Sequence, residues 1–125
     1  MAVTHTTAIR NALADLVADA HDVGSGISVI EFRDATTVIV SFDLAATAFG
    51  AASSGIVTLA SVPISAAAEA SGEVDNFITR DQDGTQILAG SITAVGMGGD
   101  IEVTNINIAG GQDCELESLT YESPD

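Results

Sequence analysis

Lysine and tryptophan are absent from this 125-residue chain, and cysteine occurs once. Three arginines stand against 18 aspartates and glutamates, for a net charge of −15. Each shortage excludes something. Phosphate backbones and anionic lipid surfaces are gripped through Lys and Arg, so no nucleic-acid partner and no membrane partner is expected. A lone Cys114 cannot form an intramolecular disulfide. It lies in the alternating run DCELESLTY and is read as a buried structural thiol. A nucleophilic cysteine would want a histidine partner. His5 and His21 both lie in the N-terminal segment, outside any motif, and too far apart along one helix for joint ligation. Both are read as surface or boundary residues. No apolar run approaches the roughly 18 residues of a membrane span. No basic-then-apolar leader opens the chain, so synthesis in the cytoplasm is expected.

Aromatics are also scarce, with four Phe and one Tyr making up 4% of residues. Hydrophobic residues reach 46%, but alanine carries much of that figure. The length predicts one domain with a thin core of Ile, Val, Leu and Phe. Such a core is marginal for a free monomer, which favours association with copies of itself or with a partner. The acidity keeps copies soluble and apart.

Two hydrophobic periods are present. THTTAIRNALADLVADAHDVGSG predicts a helix from about Thr7 to Asp22, capped by Thr6 or Thr7, with Gly24 as the C′ glycine. Ile9, Leu13, Leu16, Val17 and Ala20 form its apolar stripe, and Arg10, Asn11, Asp15, Asp19 and Asp22 fall mostly on the other face. That stripe is expected to pack on its own domain or on a neighbouring subunit; the first is the commoner arrangement. Ile9, Leu13, Leu16 and Val17 are therefore the candidate interface residues.

From Gly26 onward the period is two. ISVIEFR and TVIVSFD read as strands, with Val38, Val40 and Phe42 pointing one way. LAATAFGAASSG reads as an ordered loop, and IVTLASVPI as a strand with Pro63 at an edge or end. SAAAEASGE reads as a mobile loop, and GMGG as a flexible turn. VDNFITR and TQILAGSITAV read as a hairpin, DIEVTNINI as a strand or strand pair, and CELESLTYES as a last strand bulged near Glu117 and Ser118. The expected fold is mainly β: an antiparallel sandwich of about seven or eight short strands, residues 26–125, behind one N-terminal helix and arm, residues 1–25.

The most motif-like stretch is RDQDGTQILAG, Arg80 to Gly90. It admits a calcium site at Asp81 and Asp83, or the apex of a hairpin. An EF-hand loop places Gly at position 6 and Glu at position 12. Counting from Asp81, Gly84 is fourth and Ile92 is twelfth. A tight turn, by contrast, wants Asp and Gly for backbone reasons alone, and this reading is preferred. Asp100, Glu102, Asp113, Glu115 and Glu117 alternate with apolar residues, as on a solvated strand face. No catalytic residue, cofactor or metal is assigned, and no enzyme is expected.

Four segments in order, MAVTHTTAIRNALAD, FGAASSGIVTL, FITRDQDGTQILAGSI and GGDIEVTNINIAGGQDCELESLTYESP, span nearly the whole chain. Their succession resembles the small head decoration, or cement, proteins of tailed bacteriophages. The resemblance implies a virion protein on the outer surface of an assembled capsid, a homotrimer at three-fold or quasi-three-fold positions, with the major capsid protein as partner. It supplies no catalytic residues. A tail or fibre component and a calcium-dependent binding module are the alternatives.

Overall fold

The computed structural model describes residues 4–116 and 119–122. Helix α1 covers Thr7–Ala20. Thr6 is its N-cap, in extended conformation, with its hydroxyl accepting from the Ile9 N–H at 3.4 Å. The end tightens: His21 N–H bonds Ala18 O at 3.2 Å and Asp22 N–H bonds Asp19 O at 3.0 Å. Gly24 therefore lies beyond C′, and its positive φ of 115° serves something else. A Cβ there would sit 2.6 Å from the Asp83 side chain, so glycine lets the helix exit lie against the turn at residues 81–84.

The rest is mainly β and sandwich-like, as expected. Among the described residues there are eleven strands, more than the seven or eight expected, because some long apparent strands break into short ones and Gly72–Glu73 forms a strand in a stretch read as a loop. The principal sheet runs β2 (Thr37–Asp43), β1 (Val29–Asp34), β6 (Asn76–Arg80), β7 (Gln86–Ala94), β8 (Ile101–Val103). Three two-stranded ladders curl around it. β3 (Ile56–Thr58) pairs with β11 (Thr120–Glu122), β4 (Ile64–Ala67) with β10 (Asp113–Leu116), and β5 (Gly72–Glu73) with β9 (Asn107–Ile108).

Three expectations need correction. The stretch 65–73, read as a mobile loop, contributes to β4 and β5 and buries Ala68. Alanine has weak strand preference, but pairing with β10 supplies what propensity does not. Val38 is only half-buried, whereas Ile39 and Val40 are both buried. A register shift between Phe32 and Arg33 disturbs the alternation opposite them, and the Ile39 carbonyl accepts from Glu69 N–H at 2.7 Å. Not every ladder is antiparallel: β7 and β8 run parallel, Ile92 beside Ile101. The Val95–Asp100 link doubles back within six residues because Gly96 and Gly98 take φ of 87° and 83°. The expected bulge at Glu117 and Ser118 lies outside the described residues.

The core is thin, as its composition requires. Ile30, Ile39, Val40, Phe42, Val57 and Val74 are fully or almost fully buried. Phe32 meets Phe42 edge to face at a centroid distance of 5.1 Å. Residues 44–55 form the ordered loop expected, burying Leu44, Ala48 and Phe49. Helix α1 lies against this loop and β3.

Candidate functional site

The helix docks by the side expected to face water. Ala14 and Ala18, at 0% and 4% exposure, and His21, at 0%, form its buried line. Alanine lets the helix approach the loop closely, and the polar neighbours of that line do the fastening. Asn11 Oδ1 accepts from Gly55 N–H at 2.7 Å, and Asp15 Oδ1 from Ala52 N–H at 2.9 Å. Asp22 Oδ1 accepts from Ala48 N–H at 2.9 Å. These three acceptors satisfy backbone donors in a loop that lacks a continuous partner strand. Arg10 adds an ion pair to Glu122 at 3.3 Å.

His21 is not the surface or boundary residue expected. Its ring stacks obliquely on Phe49 at 5.0 Å, and both nitrogens are engaged. Nδ1 lies 2.8 Å from the Val17 carbonyl, which can only accept, so Nδ1 carries the proton. Thr79 Oγ1 accepts from Leu88 N–H at 3.0 Å and lies 2.8 Å from Nε2. With the proton on Nδ1 the Thr79 hydroxyl is the donor to Nε2, and burial favours the neutral imidazole. Burial pushes its pKa below the ordinary 6.5, against the smaller upward pull of the Val17 carbonyl and the Asp22 and Asp81 carboxylates.

With this side turned in, the apolar stripe is turned out. Ile9 is 49% exposed and Leu16 67%, while Leu13 and Val17 are half-buried. Val23 and Ile27 are also exposed just past the helix end. Of the helix carboxylates, Asp15 is spent inward and Asp19 is the exposed one. The stripe is thus a charge-poor surface on a body of net charge −15.

No family model, no curated protein and no solved structure matches the chain.

The other sequence candidate is the 80–86 turn. β6 and β7 form the hairpin, with a register shift between Thr79 and Arg80. Asp81 is 7% exposed, and its Oδ1 accepts from both Asp83 N–H and Thr85 N–H at 2.9 Å. Arg80 closes the turn, donating to Gly84 O at 3.0 Å and to Glu31 at 3.0 Å. Val23 O accepts from Gln82 N–H at 2.9 Å, and Gln82 O from Gly26 N–H at 3.1 Å, tying the apex to the helix exit. The structure thus brings Asp81 and Asp83 into one turn but gives them different work. Asp81 organises backbone, and Asp83 is exposed beside Gly24. Among the described residues no group of three or more His, Cys, Asp or Glu gathers to hold a metal.

A groove of about 480 Å³ opens between β8 and β10, floored by Phe32, Phe42, Ile101 and Leu116 and flanked by Glu102, Asp113 and Glu115. Cys114 lines it, half-buried rather than buried, with its thiol 3.6 Å from Gln112 O. Burial, then the Asp113 charge, pushes the thiol pKa up, which keeps it protonated and a poor nucleophile. Asp100, Glu102, Asp113 and Glu115 are exposed, as their alternation implied. Among the described residues no helix is long and apolar enough to cross a membrane.

Sequence reasoning missed Asn11, Asp15, Asp22, Ala14, Ala18 and His21 as the docking face. One signal was available: Ala14, Ala18 and His21 share the i, i+4, i+7 spacing of a narrow second stripe.

Proposed function

We propose that this chain is a non-enzymatic structural protein of a phage virion. It binds the outer surface of an assembled capsid, beside the major capsid protein, and stabilises the shell as a homotrimer at three-fold or quasi-three-fold positions. The observation that carries this reading is the outward apolar stripe of α1, held rigidly on an acidic body. Ile9 and Leu16 leave about half and two-thirds of their surface outside the chain's own fold, an apolar area that a second surface would cover. The thin core and the acidity support the same reading. Marginal cores gain stability from assembly, and like-charged copies stay dispersed until a complementary surface gathers them. The ordered resemblance to head decoration proteins adds the capsid as that surface.

Reconstitution tests it. Purified chain mixed with undecorated phage shells is expected to co-sediment with them and to raise the temperature at which they disrupt. A chain that stays in the supernatant, with shells of unchanged stability, refutes the capsid reading.

A further inference from the structure

The strands β8-β7-β6-β1-β2 and then β4-β10 form a curl that stops short of closing. The chain just past β4 leans on β2 through Glu69 N–H to Ile39 O at 2.7 Å, and β10 pairs with β4. The two end strands, β8 and β10, both line the groove of about 480 Å³. Among the described residues the outer edge of each is open. Gln112 O accepts from Ala68 N–H, so alternation along the β4–β10 ladder turns the backbone groups of Asp113 and Glu115 to the open side. Val103 O accepts from Val95 N–H, so Glu102 turns its backbone outward on β8 in the same way. Side chains alternate alike on both strands. Ile101, Val103, Cys114 and Leu116 pack on the core side, while Glu102, Asp113 and Glu115 are exposed.

From this we infer that the gap receives one extended segment of another protein, in which apolar and basic residues alternate. Pairing to a sheet edge supplies backbone hydrogen bonds, and alternate side chains supply specificity. The apolar side chains of such a segment lie over Phe32, Phe42 and Leu116, and its basic ones meet Glu102, Asp113 and Glu115. Charge selects a foreign strand. Closing β8 on β10, or docking a second copy by the same edges, sets carboxylates against carboxylates. This chain has no basic strand to offer. It has no lysine, and Arg10, Arg33 and Arg80 bond Glu122, the Thr36 carbonyl and Glu31, outside the groove. The Glu102 carboxylate already accepts from Gly98 N–H at 3.0 Å, so it is held in place before a partner arrives.

The probe is a short synthetic peptide alternating lysine and valine, titrated into the full chain at physiological salt and read by fluorescence anisotropy. It is expected to bind and to slow hydrogen exchange at the Asp113 and Glu115 amides. A peptide with the same lysines and valines in two blocks keeps the charge without the alternation, and is expected to bind at least about tenfold more weakly. The double variant Asp113→Lys with Glu115→Lys, at exposed positions, is expected to keep its circular dichroism spectrum and lose at least about tenfold in affinity. The same charge change away from the groove, Asp19→Lys with Asp43→Lys, is expected to stay within about twofold of wild type. No binding, or binding without protection on β10, overturns the inference. So does equal binding of the block peptide or an equal loss in the remote variant, since either leaves only bulk attraction to an acidic chain. Shell binding is a separate property: a chain that ignores the peptide and still sediments with capsids loses the groove and keeps the capsid reading.

Discussion

The two faces of α1 have exchanged the roles their polarity suggests. The inward face holds two alanines, a neutral histidine and three side-chain oxygens bonded to backbone N–H groups. The outward face holds Ile9, Leu13 and Leu16. A helix docked only for stability would bury its isoleucine and leucines, since each is worth about 1.5–3 kcal/mol when fully buried. This one gives up part of that gain. What it obtains is a specific, directional attachment, because Asn11, Asp15 and Asp22 fit only N–H groups in the right places. The helix is thereby fixed in one rotation, and its apolar side is presented rather than hidden.

The sharpest way to break this comparison is to charge the inward face. Ala14→Glu forces a carboxylate into a dry contact and is expected to cost on the order of 3–5 kcal/mol, read from urea midpoints. A near-neutral result would mean the helix docks some other way. Next come the fastenings. Asp15→Ala and Asp22→Ala each orphan a part-buried N–H and are expected to cost about 1–3 kcal/mol. Asp19→Ala, the same change on the same helix facing water, is expected within about 0.5 kcal/mol of wild type. Equal effects at all three positions would dissolve the distinction between faces.

The histidine on the inward face predicts a pH dependence. Its folded pKa is lowered, so the unfolded chain binds a proton more readily below 6.5. Stability contributed by neutral His21 is therefore full above 6.5 and declines as pH falls through 6.5 toward the folded value, by at most about 1.4 kcal/mol per pH unit. His21→Gln should flatten that segment of the stability profile; an unchanged slope assigns it to other groups. In the turn, Asp81→Ala is expected to cost about 1–3 kcal/mol, because two N–H groups lose their acceptor. Asp83→Ala should cost far less, and EDTA should leave the melting temperature unchanged. A calcium module would instead lose stability in all three cases. The smallest effect is expected on the outward face: at dilutions where copies are separate, Leu16→Ser should change stability by less than about 0.5 kcal/mol.

Much of this fold was legible in the residues. The helix announced itself through Thr6 and the spacing of Ile9, Leu13 and Leu16. The 76–94 hairpin announced itself through alternation around Asp81, Asp83 and Gly84. The failures share a cause. Strands β4 and β5 lie in an alanine-rich stretch with weak preference of its own, and their pairing comes from β10 and β9, far along the chain. The parallel β7–β8 pair depends on a glycine link whose path no local pattern specifies. Cys114 alternates like a core residue and packs against the core, yet it is only partly covered, because β10 pairs with β4 alone and a groove opens beside it.

For the candidate surface the division is similar. Composition alone determined a small acidic protein with a thin core, and periodicity determined the β character beyond Gly26 and a helix from about Thr7 to Asp22 with one apolar stripe, which the structure ends at Ala20. Only the tertiary structure decided which way the stripe points. Periodicity records that two faces differ, whereas orientation depends on which face finds partners. Here the 48–55 loop offered unpaired N–H groups, and three polar side chains answered them, leaving Ile9, Leu13 and Leu16 on the outside.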